Sequence, residues 1–216
     1  MISVVVPVRD ETEADLAPLR RLVDSGDAEL LLADGRSGSR GACLAKAARR
    51  ARGEILFFVH ADSQPPGAAL SLVRETLAGG AAGGAFSLAY ADAGPAMRWI
   101  AWWANRRARW LGLAFGDQGI FCRRDAYEQT GGIRDLPVCD DLDLVRRLKR
   151  VGRFVVRPEA TVTSARRYRE RGALRQVLRV WTVVAGYFAG VSPERLARWY
   201  YGRAASPAIS PPRPPG

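Results

Sequence analysis

Asp62 closes a His60-Ala61-Asp62 triplet that follows five consecutive apolar residues, Ile55-Leu56-Phe57-Phe58-Val59. Its carboxylate is a hard oxygen ligand suited to Mg2+ or Mn2+, the ions that accompany phosphorylated substrates. His60 stands as a second ligand, a phosphate donor or a spacer. Far downstream, Cys139-Asp140-Asp141 sets two adjacent carboxylates after a Gly131-Gly132 turn and before Leu142-Asp143-Leu144. One of them facing a crevice would serve as a general base. The alternative is that Asp140 caps a helix while Asp141 and Asp143 complement its dipole. Gly116-Asp117-Gln118-Gly119 is either a structural turn or a segment in which Asp117 and Gln118 line a pocket. Arg166 and Arg167 offer forks that match phosphate oxygens, or a solvated basic face. The Arg36-Ser37-Gly38-Ser39-Arg40-Gly41 loop has the composition of a phosphate cradle built from backbone N–H groups, without a Walker pattern.

The elements that must hold these residues read as α/β. The Ile55–Val59 run has the character of a strand buried on both faces, as in a parallel sheet, so His60 and Asp62 fall at its carboxyl end, where open α/β sheets place ligands. Ile2 to Val6 is a β-branched strand ended by Pro7. Helical spacing of Leu16, Leu19, Leu22 and Val23 predicts a helix over 12–25. Leu30 to Ala33 is a second short strand, and helices are expected over 41–52 and 66–77. Two strand–helix alternations feeding a third strand mean βαβ units. Beyond residue 80 come a strand (83–90), a helix dense in Trp and Arg (96–111), a short strand (119–122) and a helix (142–151). Two short strands (154–156 and 160–163) and two more helices (173–189 and 193–201) follow. Ser206 to Gly216 is proline-rich and reads as a disordered tail.

With 216 residues, the chain can form one domain with a substantial core. Its net charge of +11 comes almost wholly from arginine, since Lys46 and Lys149 are its only lysines. This reflects a GC-rich genome or anionic partners: phosphorylated substrates, anionic lipid or nucleic acid. Cys43, Cys122 and Cys139 show no metal-type spacing and are odd in number, which argues against a disulfide framework and makes a reducing cytoplasm the default. The N-terminus reads as a strand rather than a signal peptide. No apolar window reaches the length of a membrane span.

Several of these segments together resemble family 2 glycosyltransferases, whose GT-A fold is a Rossmann-like, mostly parallel sheet flanked by helices. Val5-Val6-Pro7-Val8-Arg9-Asp10-Glu11 resembles the opening strand and acidic turn, and Asp34-Gly35-Arg36-Ser37 the turn that binds the nucleotide base. His60-Ala61-Asp62 lies where the family carries its metal-binding DxD, and Asp140-Asp141 where it carries its Glu-Asp pair. The chain is more similar still to the branch associated with radical-SAM/selenodomain clusters and arsenosugar biosynthesis. That likeness rests on Phe57–Asp62, Gly83-Gly84-Ala85-Phe86, Gly116–Phe121, Thr163–Arg167 and Val191–Ala197, and covers residues 1–203.

The resemblance implies a single domain over 1–203, with a nucleotide-binding half (1–80), an acceptor half with C-terminal helices (81–203) and a tail (204–216). It implies an inverting transfer from a UDP- or GDP-sugar to the hydroxyl of a small or lipid-linked acceptor. Pro7, Asp10, Glu11, Asp34 and Arg40 would contact the nucleotide. Asp62, with His60, would hold Mg2+ or Mn2+ at the diphosphate. Asp141 would be the base, and Asp140 would orient Asp141 or the acceptor; Asp117, Gln118, Arg166 and Arg167 would meet the acceptor or phosphate. The stretch from Asp34 to Gly53 is shorter than the family's, leaving one loop and one helix.

The segment Arg98–Trp110 interleaves arginines with Trp99, Trp102, Trp103 and Trp110, which fall mostly on one helical face with many arginines opposite. It reads as a helix packed on the sheet near the acceptor site, as an interfacial helix on anionic lipid, or as a nucleic-acid platform. The lipid reading would make a cytoplasmic enzyme peripheral on the inner membrane face. Two other functions compete: nucleotidyl transfer on the same fold, and a non-catalytic basic protein binding nucleic acid or membrane. The late Asp pair argues against the first. The lack of helix-turn-helix, zinc-finger or RNP patterns argues against nucleic acid as partner.

Overall fold

The computed structural model describes residues 1–9, 12–24, 26–36, 38–91 and 94–202, with only the backbone of Glu13, Ala14, Arg167 and Arg171. Asp10, Glu11, Ser37, the Arg167 side chain and the tail 204–216 therefore lie outside the described residues.

The sheet is built around β1 (Ile2–Val8), whose β-branched residues are buried on both faces. Parallel β2 (Ala28–Asp34) and β3 (Ile55–Phe58) flank it. The remaining strands are β4 (Ser63–Gln64), β5 (Gly83–Tyr90), β6 (Ile120–Arg123) and β7 (Phe154–Thr163), in the spatial order β2-β1-β3-β6-β5-β7-β4. β6 runs antiparallel between β3 and β5, and β4 antiparallel to β7, while the other five share one direction. The architecture is thus α/β with a mostly parallel sheet.

Alternation along the central strands sends side chains into two cores. Val4, Val6, Phe57 and Val59 face α1 (Glu13–Asp24) and α3 (Ala69–Ala78), while Val5, Leu56 and Phe58 face α2 (Arg40–Arg50) and the later helices α5 (Arg124–Gln129) and α6 (Asp140–Val151). Phe57, Phe86 and Phe121 form a ring cluster with centroids 5.5–6.2 Å apart. That cluster explains the Gly83-Gly84 pair: a Cβ on Gly84 would lie 2.6 Å from the Phe121 ring and 2.5 Å from the Val155 carbonyl. Gly53 is needed for a similar reason, since its missing side chain lets β3 approach the Ser3 amide.

α4 (Pro95–Leu111) lies on β5 through Met97, Ala101 and Ala108. Asn105 fastens it by accepting from the Leu88 amide (2.6 Å) and donating to the Leu88 carbonyl (3.0 Å). Two helices then lead out of β7: α7 (Arg166–Arg171) and α8 (Ala173–Phe188), with α9 (Pro193–Tyr201) packed against α8 around Val183, Leu196 and Ala197.

Two expectations need correction. Residues 154–163 form one continuous strand rather than two, although only 154–156 and 160–163 pair with β5, a register break between Ala85 and Ser87 leaving 157–159 out of that ladder. Pro158 sits in that break, where no ladder N–H is required. The late helix starts at Asp140 instead of Leu142, which brings both carboxylates into its first turn.

Candidate active site

One cavity of about 410 Å³ is lined by the α2 start, the chain just after β3, the end of β5, α4, the loop before β6, the α6 start, the end of β7 and the C-terminal helices. Parallel β1 and β3 set the segment after β3, since the Val59 amide bonds the Val5 carbonyl and the chain then turns outward at His60. His60 and Asp62 both line the cavity, with Asp62 exposed at its edge.

The carboxylate pair is delivered by a strained cap. Cys139, the residue before α6, adopts φ 61° and ψ 19°, the one positive φ among described non-glycine residues. Such a conformation costs about 1 kcal/mol for a residue with a Cβ. Asp140 is therefore not the cap; it opens the helix, 2 % exposed, with Asp141 beside it. The third acid serves the packing of the helices. Asp143 binds Arg147 (2.6 Å) and accepts from the Tyr187 hydroxyl (2.9 Å), tying α6 to α8. Burial and the neighbouring acids push the Cys139 thiol up to about 12, so it carries no thiolate at neutral pH.

Arg40 joins the cluster. Its Nη2 and Nε reach Asp140 at 2.6 and 3.0 Å, Nη2 lies 3.2 Å from Asp141, and Nη1 lies 3.1 Å from His60 Nε2. Burial alone would raise the Asp141 carboxyl, but Arg40 and the backbone amides of Gly116 and Leu142, each at 2.7 Å, hold it below the usual carboxylate range. Burial lifts its neighbour Asp140 instead, against the pull of Arg40. The two adjacent carboxyls are thereby driven apart, as acid–base pairs in one site commonly are.

The turn Gly116–Gln118 closes the floor. A Cβ on Gly116 would lie 2.6 Å from His60 Nε2 and 3.1 Å from Asp141 Oδ2, so only glycine lets this backbone touch both. Asp117 lines the cavity, and its Oδ1 is buried without a hydrogen-bond partner among the described residues. Burial pushes its carboxyl up to about 6, opposed by Arg107 and reinforced by Asp141 and Asp62. Gln118 is placed differently. Fully buried, it donates to the Phe86 carbonyl and accepts from the Phe115 amide, and it does not line the cavity.

Of the other expected residues, Arg166 lines the cavity. Pro7 lines a small pocket of about 20 Å³ beneath Asp140 and Asp141, room for one water. Asp34 ends β2 exposed, its carboxylate accepting from the Arg36 amide, and stands beside Val8 on the same carboxyl edge of the sheet without lining the cavity. After that short loop Ser39 caps α2 through the Ala42 amide, and the half-buried Arg40 reaches onto the α6 carboxylates. Sequence reasoning passed over Arg107, which stacks on Phe115 (3.7 Å), and the apolar wall of Tyr90, Ile100, Val180 and Val184. The regular helical spacing of α4 and α8 was the available signal for all of these but Tyr90, which ends β5.

A Mg2+ or Mn2+ ion shared with a diphosphate requires only one or two carboxylates from the protein. Among the described residues no three of His, Cys, Asp and Glu gather to hold an ion by themselves. The donors present fit the shared arrangement: Asp62 offers an exposed oxygen, and Asp117 a partnerless one within electrostatic reach of it.

The sequence matches no protein-family model and no curated protein. Its fold does have relatives among solved structures. A mannosyltransferase from Pyrobaculum calidifontis, PcManGT, solved with GDP-Man and Mn2+, superimposes with a TM-score of 0.56 at 18% identity over 84% of this chain. TarS residues 1–349 of S. aureus gives 0.52 at 11% over 76%. Mannosyl-3-phosphoglycerate synthase from Rubrobacter xylanophilus gives 0.52 at 11% over 88%. The chain spans 60% of the length of each of the first two and 75% of the third. What these likenesses establish is the architecture: the chain has the GT-A fold.

Proposed function

We propose that this chain is an inverting, metal-dependent glycosyltransferase of the family 2 type, moving a sugar from a nucleoside-diphosphate donor to an acceptor hydroxyl. The observation that carries the reading is Asp141, ionised on the first turn of α6 and sharing one cavity with Asp62. The GDP-Man and Mn2+ bound by the Pyrobaculum neighbour support the choice of donor class and ion.

In this mechanism Asp62, aided by Asp117, would hold the divalent ion at the donor diphosphate. When bound, such an ion supplies Lewis-acid neutralisation of the charge that grows on the departing nucleoside diphosphate. Asp141 takes the proton from the acceptor hydroxyl as its oxygen attacks the anomeric carbon from the face opposite the leaving group. Each of its oxygens accepts one backbone amide, Oδ1 from Leu142 and Oδ2 from Gly116; Oδ1 is the atom suited to this, since Oδ2 lies against Arg40 as well. Asp140 positions Arg40, and through it Asp141 and His60. Asp34, Pro7, Asp10, Glu11 and Arg40 remain the nucleotide-side residues, Arg40 acting through the carboxylates it holds. Arg166, which lines the cavity, would meet the phosphate or acceptor, the same role the resemblance gives Arg167, and Gln118 supports the turn that carries Asp117. The selenodomain-associated branch is the one its motifs resemble most.

Thermal shift with UDP-, GDP-, CDP- and dTDP-sugars, with and without Mn2+, tests this reading. Metal-dependent stabilisation by one of them, lost in Asp62→Ala, is the expected result. Nucleotide transfer to a sugar phosphate, or no response to any nucleotide, would overturn the reading.

A further inference from the structure

The outer faces of α4 and α8 carry apolar stripes that no described residue covers. On α4, Trp99, Trp102, Trp103, Arg106 and Trp110 follow helical spacing, with Trp99 60% and Trp110 69% exposed. On α8, Leu174 (74% exposed), Leu178, Trp181 and Phe188 do the same. Apolar surface on this scale, set in charged surroundings, marks a docking site rather than scattered exposure. Both stripes border the cavity: Trp99 and Trp103 from α4, Trp181 from α8 and Tyr201 from α9 are exposed and line it at once. The inner wall continues them as apolar surface through Ile100, Val180 and Val184.

We propose that this face docks on an anionic lipid bilayer, and that the acceptor is lipid-linked, entering the cavity from the membrane with its hydroxyl toward Asp141. The second half of this rests on the transferase reading. Charge selects the occupant. α4 bears Arg98, Arg106, Arg107 and Arg109 with no acidic residue, and Arg175 and Arg179 lie along α8. Tryptophans beside arginines on an amphipathic helix suit the headgroup boundary, the rings buried and the guanidinium groups on lipid phosphates. A second copy of the chain would bring like charges together. Nucleic acid is served poorly, because Trp102 and Trp103 stand edge to face at 4.9 Å and Arg106 covers Trp102 and Trp110 at 4.3 and 4.7 Å. Those faces are taken, and leucines offer no stacking platform.

The experiment is flotation of the full chain with vesicles of phosphatidylcholine alone or mixed with phosphatidylglycerol, followed by tryptophan emission. Expected are binding to the mixed vesicles only, weakening with salt, and a blue-shifted emission. Trp102→Ser with Trp110→Ser, or Leu174→Ser with Leu178→Ser, abolishes binding without changing the melting temperature; none of the four lines the cavity. Each of Arg98→Ser and Arg175→Ser lowers partitioning about five-fold. No binding, equal binding to neutral vesicles, a dimer that Trp102→Ser with Trp110→Ser dissolves, or oligonucleotide binding that the same change removes would each overturn the docking surface. Vesicle binding without any nucleotide-sugar response leaves the surface standing and removes the transferase; the reverse outcome does the opposite.

Discussion

Arg40, the first residue of α2, clasps Asp140, the first residue of α6, through Nε and Nη2 at 2.6–3.2 Å. One hundred residues apart in the chain, the two join α2 to α6, the helix that carries Asp141. The same guanidinium touches His60 and Asp141, so one side chain sets the relative position of three polar groups in the cavity.

Removing that guanidinium leaves Asp140 buried and uncompensated. Arg40→Ala should cost about 2 kcal/mol in urea unfolding, below the roughly 3–5 kcal/mol of a fully buried broken pair because Arg40 is itself 34% exposed. Arg40→Lys loses the bidentate geometry and should recover little. Asp140→Asn combined with Arg40→Ala should cost less than the sum of the two. A fully additive pair would contradict the coupling.

Arg40 also lowers the Asp141 carboxyl. The active form of a base is deprotonated, so transfer should persist down to pH values below the usual carboxylate range, about 4. Arg40→Ala should move this acidic limb of the rate profile upward. Asp141→Asn should reduce kcat by roughly 10²–10⁴-fold while donor binding is kept. Steady-state kinetics and calorimetric titration of the donor check the two halves separately.

How far the sequence revealed this site depends on the kind of signal each residue leaves. The buried run ending at Val59 and the acids at 140–141 are local patterns, and both fall where their spacing put them. The central strands were legible because β-branched and aromatic runs buried on both sides have few other uses. The Arg40–Asp140 clasp was not, because a pairing across a hundred residues leaves no periodicity. Nor was the cap, since Cys139 at positive φ breaks a local rule that favours glycine. The tryptophan stripe was visible, but placing the arginines opposite it was wrong. The inner face of α4 is Met97, Ala101 and Ala108, and Arg106 sits among the tryptophans.

Gly116 has no side chain where His60 and Asp141 crowd its Cα. Gly116→Ala should cost about 1–3 kcal/mol through overpacking and reduce turnover, since relief requires His60 or Asp141 to move. Paired with His60→Ala, which removes the 2.6 Å neighbour, the loss of stability should be less than additive. Chemical unfolding of the single and double variants measures this. An uncoupled pair would place the strain elsewhere.

Asp117 gives a prediction with a defined pH window. Its carboxyl titrates near 6 in the folded chain because burial disfavours the charge, against about 3.9 in an unfolded one. A carboxyl raised in this way binds its proton more tightly in the native state, so its stabilising contribution is full below about pH 3.9 and is lost as pH rises to about 6. The loss is on the order of 2 kcal/mol, allowing for the partial exposure of the residue. Asp117→Asn keeps a neutral side chain at every pH and should be more stable than the wild type above pH 6 by a similar amount, with the slope between pH 4 and 6 flattened. If Asp117 aids Asp62 in holding the ion as proposed, transfer activity should fall nonetheless, because the substitution removes a carboxylate that lines the cavity. Urea unfolding across that range, in metal-free buffer, reads the first effect. A slope unchanged by the substitution would show that Asp117 is ionised in the fold throughout.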